Sequence, residues 1–107
     1  MARENSALPL EITFEELAKM REPIVIDCRK TDEFESGHLK KAVNVPLQHI
    51  TIRKEDLPCS ASDEIVVYCR TGNRSFTFAT YLRSIGYLKC QSIQGGYESF
   101  SDKVTQC

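Results

Sequence analysis

The chain has 107 residues, of which 41% are hydrophobic and 27% charged, and 14 basic residues against 15 acidic ones leave a formal net charge of -1. That length suits one domain with a core that needs no disulfide or metal staple. The balanced charge gives no sign of a nucleic-acid or anionic-membrane partner, and apolar runs such as 24–26 and 65–68 are strand-sized, too short for a membrane span. The first residues, MARENSALPLEI, lack the apolar core of a signal peptide. A cytoplasmic location is therefore expected, unless a leader has been removed.

In chain order, residues 10–13 read as a short strand. Thr13 and Glu16 have capping-box spacing, which predicts a helix through Met20. IVIDC, residues 24–28, predicts a strand buried on both faces. Thr31 is placed to cap a brief helical turn around Phe34, closed by Gly37. Residues 42–45 suggest a third strand, stopped by Pro46; 46–52 a helical turn; 53–63 a polar loop. Residues 65–68 (IVVY) form another buried strand. A helix is predicted over 75–85, because Phe78, Ala79, Leu82 and Ile85 share one stripe, with Gly86 as its left-handed cap. Residues 90–93 suggest a last strand, Gly95 and Gly96 a turn, and 97–103 a final short helix. Strands alternating with short helices predict an α/β sandwich around a mostly parallel sheet. In such sheets ligands bind beyond the carboxyl ends of the strands, where 27–29 and 69–74 fall.

Five cysteines occur, at Cys28, Cys59, Cys69, Cys90 and Cys107. The count is odd and no pair has CxxC spacing, which argues against a disulfide framework or a zinc site. Cys59 and Cys107 read as small hydrophobes or idle thiols. Cys69 is different. In CRTGNRS a strand hands a thiol to a short basic glycine turn at the mouth of a helix. The amides from Arg70 to Ser75 can converge on one point as an anion nest, reinforced by the helix dipole. Gly72 permits a positive φ there, and Asn73 tolerates one. Arg70 and Arg74 add positive charge. Together these predict a Cys69 thiol of lowered pKa and a strong nucleophile. Protein tyrosine phosphatases use such a cradle with one more residue between Cys and Arg. Here the residues between are Arg70, Thr71, Gly72 and Asn73, a tighter ring that fits a terminal sulfur better than a tetrahedral oxyanion.

The chain resembles the rhodanese family of sulfurtransferases, in particular its single-domain members. The resemblance runs roughly over 10–102 and rests on VVYCRTGNRS at 66–75, on IDCRKTDEFESGHLKKAVNVP at 26–46, and on IGY at 85–87 with QGGYESF at 94–100. Lys41, Phe78, Phe100 and Cys28 depart from the residues usual in the family, none of them in the loop. The resemblance implies a rhodanese-like three-layer sandwich, a single domain over 1–107 with residues 1–8 flexible and 104–107 a tail. It also implies a mechanism. The Cys69 thiolate takes the outer sulfur of thiosulfate or a polysulfide, and the persulfide is held by the loop from Arg70 through Thr71, Gly72, Asn73 and Arg74 to Ser75. The sulfur then passes to cyanide, a thiol or a protein cysteine. No metal or organic cofactor is implied. Partners are small sulfur-containing anions and a thiophilic acceptor, with no nucleic acid and no membrane, in a monomer or homodimer.

Arg70 is expected to face the entrance and attract anionic donors. Arg74 is expected to turn inward and brace the loop against a carboxylate, Asp27 or Glu33. Asp27 and Arg29 read as a structural ion pair, His38 as a structural hydrogen-bonding residue, and His49 carries no signal. Cys28 reads chiefly as a buried strand cysteine, with a resolving thiol beside Cys69 as the rival reading. Phe76 divides evenly between core packing and an apolar rim for a partner. Three rival functions remain: a persulfide carrier with low thiosulfate activity, a Cys-based phosphatase or arsenate reductase, and a non-catalytic interaction module.

Overall fold

The computed structural model describes residues 8–47 and 57–103; the expectations for 1–7, for the turn and loop between 48 and 56, and for 104–107 lie outside that range. The elements are β1 (Glu11–Ile12), α1 (Phe14–Ala18), β2 (Ile24–Asp27), α2 (Thr31–Ser36), β3 (Val43–Asn44), β4 (Ile65–Tyr68), α3 (Asn73–Ser84), β5 (Cys90–Ile93) and α4 (Gly96–Phe100), followed by a 3-10 turn over Ser101–Lys103.

Local chemistry sets several of these boundaries. At α1 the Thr13 hydroxyl accepts the Glu16 N–H at 3.1 Å, and the Glu16 carboxylate accepts the Thr13 N–H at 2.8 Å, the reciprocal box the spacing predicts. The helix ends at Ala18 rather than Met20. Thr31 does not cap α2. Lys30 holds that position, and its N–H donates to Glu33 Oε1 at 3.1 Å. The Thr31 hydroxyl donates instead to Asn44 Oδ1 at 3.1 Å, while Asn44 Nδ2 donates to the carbonyls of Asp27 and Arg29 at 2.9 and 3.0 Å. Asn44 thereby fixes the turn that leaves β2.

The described strands form one five-stranded sheet in the order β1-β5-β4-β2-β3, and every pairing is parallel. β4 lies at the centre, and all four of its side chains are buried, which is why IVVY is apolar without alternation. β3 lies at an edge and exposes Val43. Side chains alternate across the sheet, so its two faces build two cores. On one face Ile26, Cys28, Ile65, Val67, Cys69 and Cys90 pack against Phe78, Ala79 and Leu82 of α3. On the other, Ile12, Val66, Tyr68 and Ile93 pack against Leu17 of α1 and Phe100 of α4. Helices cover both faces, which gives the three layers. The α3 stripe is buried as predicted except at Ile85, which is partly buried at the C-cap. Among the described residues no helix is long and apolar enough to cross a membrane.

Candidate functional site

Cys69 is the first residue beyond the central strand, and its side chain is wholly buried. The chain turns through Gly72 at φ 102° and enters α3 at Asn73, two residues earlier than the apolar stripe predicts. Asn73 therefore needs no left-handed backbone; it is the first helical residue, exposed, as is Thr71. The turn aims two backbone donors at the sulfur. Gly72 N–H donates to Cys69 Sγ at 3.0 Å and Ser75 N–H at 3.3 Å. Ser75 Oγ lies 3.6 Å from Sγ and 2.7 Å from Ser92 Oγ.

The sulfur of Cys69 is held well below its ordinary pKa of 9.0, at about 4. The largest cause is a hydrogen bond from the Cys28 thiol, opposed by burial and helped by the Ser75 hydroxyl and the amides of Ser75 and Gly72. The hydrogen-bond donors favour the ionised form and outweigh the cost of burial. Cys28 is pushed the opposite way, upward, by the same hydrogen bond, by burial and by the neighbouring Cys69 charge. Cys28 is thus a buried cysteine at a strand end and also a direct neighbour of Cys69.

The loop is braced from behind by α4. Tyr97 N–H donates to the Cys69 carbonyl at 2.7 Å, and Glu98 N–H to the Arg70 carbonyl at 3.0 Å. This approach needs a glycine at 96. A Cβ there would lie 2.6 Å from the carbonyl carbon and oxygen of Arg70 and 2.7 Å from the Cys69 oxygen.

Arg70 is exposed, with Nε 3.6 Å from Glu98 Oε2. Arg74 is half-buried, and its Nη2 lies 3.7 Å from Glu33 Oε1. Asp27 is not its partner. Asp27 stands in register with Tyr68, so both point to the sheet face opposite Cys69. Its carboxylate takes Arg29 Nη2 at 2.8 Å, Arg29 Nε at 3.1 Å and the Arg29 N–H at 2.9 Å. Arg29 also donates to the Gly37 carbonyl and lies over the Tyr97 ring, 4.3 Å from its centroid. This buried pair is structural, as its sequence suggests. His38 is structural as well: it stacks on Phe34 at 3.7 Å, and Nδ1 lies 2.7 Å from the Phe34 carbonyl. His49 and Cys107 lie outside the described residues. Cys59 is partly buried against the α3-side core, and burial raises its pKa to about 11.

An open cleft of about 350 Å³ lies over the loop, lined by Lys30, Asp32, Glu33, Arg70 and Arg74. Three cations against two carboxylates favour a small anion there. Phe76, on the first turn of α3, is 43% exposed, so it is not part of the core. Sequence reasoning missed Lys30, Ser92 and the bracing role of Gly96. Lys30 follows the Asp-Cys-Arg run directly and was readable as a third cation; Ser92 gives no local sign.

Residues 13–103 match the family model described as the Rhodanese-like domain. The chain belongs to the rhodanese-like family. It is 31% identical over 80 residues to a sulfurtransferase of Allochromatium vinosum, an overlap that covers 75% of this chain and 73% of that one. It is 30% identical over 93 residues to the adenylyltransferase and sulfurtransferase uba4 of Ogataea parapolymorpha, covering 87% of this chain but 24% of that protein. The human single-domain sulfurtransferase TSTD1 shares the fold, with a TM-score of 0.81 at 20% identity over 91% of this chain and 99% of that one. Sulfur transfer is the general activity that the family and the named relatives support.

Proposed function

We propose that the chain is a thiosulfate or polysulfide sulfurtransferase working through a persulfide on Cys69. The observation that carries this reading is the Cys69 sulfur at the focus of the Gly72 and Ser75 amides, with its pKa held at about 4. The thiolate attacks the outer sulfur of the donor. A Cys69–sulfur bond forms, the donor S–S bond breaks, and with thiosulfate the electron pair leaves on sulfite. The anionic outer sulfur of the persulfide then faces the loop amides. An acceptor nucleophile, such as a thiolate, a protein cysteine or cyanide, takes that outer sulfur, and the Cys69 thiolate returns. Two half-reactions sharing one covalent intermediate give ping-pong kinetics. The cycle uses no metal or organic cofactor.

Arg70 and Lys30 lie on the rim of the cleft and attract the donor anion. Arg70→Ala is expected to raise KM for thiosulfate about two- to fivefold, the size of one exposed charge, and to spare uncharged sulfane donors. Steady-state kinetics with both donor types at low salt check this; equal losses would remove the steering role.

A second reading has a specific observation behind it. Exposed Phe76 beside the loop suits a protein acceptor, in which case the chain delivers its sulfur to a partner and turns over thiosulfate slowly.

Intact mass of the reduced protein after brief exposure to thiosulfate tests the persulfide itself. The expected result is a gain of one sulfur atom, removed by cyanide and absent in Cys69→Ser. No gain with either thiosulfate or polysulfide would reject the proposal and reopen the phosphatase-like reading.

A further inference from the structure

Cys28 sits where a second thiol can reach the first. β2 and β4 pair in parallel from Ile24↔Ile65 through Asp27↔Tyr68. The Cys28 N–H continues that ladder to the Tyr68 carbonyl at 2.9 Å. Cys28 and Cys69 are therefore the next pair in register, on laterally adjacent strands. Both lie on the same sheet face, in one core cluster with Ile26 and Val67. Neighbouring strands run about 4.8 Å apart, and disulfides span Cα separations of about 4.4–6.8 Å. Neither cysteine is engaged in a disulfide. Both side chains are fully buried.

We propose that Cys28 is a resolving thiol, which attacks the inner sulfur of the Cys69 persulfide, releases hydrosulfide and leaves a Cys28–Cys69 disulfide. This inference rests on the persulfide reading above and extends it to a further activity, release of sulfide from the loaded site. The step balances without an outside oxidant. The loaded site carries Cys69–S–S⁻ and Cys28–SH. The S–S bond between Cys69 and the outer sulfur breaks, and a new S–S bond forms between the two cysteine sulfurs. The thiol proton of Cys28 goes to the departing sulfur, which leaves as HS⁻. The sulfane sulfur is reduced and the two cysteine sulfurs are oxidised. A small dithiol or a dithiol protein then reduces the disulfide and resets the site.

Geometry and charge favour this step once the site is loaded. The outer sulfur departs as an anion beside the loop amides and the positive end of α3. Cys28 approaches from the strand side, from the direction of β2, and not through the cleft. Loading also moves the negative charge one bond outward from Cys69 Sγ. That weakens the hydrogen bond to Cys69 and the repulsion from its charge, which together with burial hold the Cys28 proton in the unloaded protein. A thiol on the neighbouring strand has a high effective concentration and acts when external acceptors are dilute.

The test uses the full chain, reduced, loaded with thiosulfate or polysulfide and freed of donor. Trapped sulfide and non-reducing peptide mapping are followed together. The expected result is that the one-sulfur gain present after brief exposure decays on standing, with one sulfide released per loaded sulfur and the peptides carrying Cys28 and Cys69 joined by a disulfide. In Cys28→Ser the sulfide and the linked peptides are lost and the persulfide mass persists. Cys28→Ala, checked for fold by circular dichroism, guards against a serine that disrupts the core. A wild-type protein that loads but holds its persulfide without forming the linked peptides would overturn this inference and leave the sulfurtransferase reading standing. Sulfide release that continues in both Cys28 variants would do the same. Failure to load with either donor would overturn both.

Discussion

Gly96→Ala is expected to cost about 3 kcal/mol or more of stability and to lower sulfur loading of Cys69 sharply. Two penalties combine at this position. Gly96 has φ 67°, a left-handed conformation that alanine enters at about 1 kcal/mol. The larger penalty is contact. The new Cβ would lie 2.6 Å from the Arg70 carbonyl and 2.7 Å from the Cys69 oxygen, and those atoms are backbone, so no side chain can rotate away. The loop or α4 must move. Either motion strains the hydrogen bonds from Tyr97 N–H to Cys69 and from Glu98 N–H to Arg70. These are the bonds that orient the turn, and with them goes the aim of the Gly72 and Ser75 amides at Sγ. Gly86→Ala is the control for positive φ without contact: its φ of 109° lies beyond the left-handed well that Gly96 occupies, but a Cβ there meets nothing within 4 Å. It is expected to cost the conformational share alone, about 1–3 kcal/mol, and to load normally. In melting temperature, the Gly96 variant should fall about 12 °C or more. A Gly96 variant that loads like wild type would show that α4 does not brace the loop.

That brace marks the limit of what the sequence made legible. CRTGNRS is a local motif: a buried strand, a glycine turn and a helix mouth follow each other within a few residues, and each is set by short-range rules. The thiol, the positive φ at Gly72 and the basic flanks could therefore be read directly. The start of α3 could not, because Asn73 and Arg74 carry no apolar stripe; the helix begins there to complete the turn around Sγ. The partner of Arg74 was half right. Glu33 faces it, while Asp27 lies one residue from Cys28 and so points to the opposite face of the sheet. IVIDC reads as a strand buried on both faces, so which face Asp27 and Cys28 take depends on the register of β2 against β4. That register also makes neighbours of Cys28 and Cys69, which are separated by 40 residues of chain. Ser92 and Gly96 reach the site only through sheet order and the packing of α4, and no local pattern announces either.

The difference in unfolding free energy between wild type and Cys69→Ser is expected to grow with pH, by up to about 1.4 kcal/mol per pH unit between roughly pH 4 and pH 9. The sign follows from the direction of the shift. The folded pKa of Cys69 is depressed, to about 4 from an ordinary 9.0, so the folded site prefers the thiolate. Below pH 4 both states are protonated and the preference contributes nothing. Between the two values the unfolded chain binds a proton that the folded chain does not, and stability rises with pH. Above pH 9 both states are ionised and the gain is complete. Serine stays uncharged across this range, so the comparison cancels the ordinary carboxylates. The other thiols act in the reverse direction. Burial and Cys69 raise Cys28, and burial raises Cys59 to about 11 and Cys90 to about 12. Their unfolded forms ionise near pH 9 while the folded ones keep their protons, so wild-type stability should decline above that point. Denaturant unfolding under reducing conditions from pH 5 to pH 8 captures most of the rising arm. Removing the Cys28 donor in Cys28→Ala should raise the pKa of Cys69 and shorten the arm from its acid end. A difference that stays flat with pH would mean that Cys69 keeps its proton in the fold, and the nucleophile would then need a base that the loop does not supply.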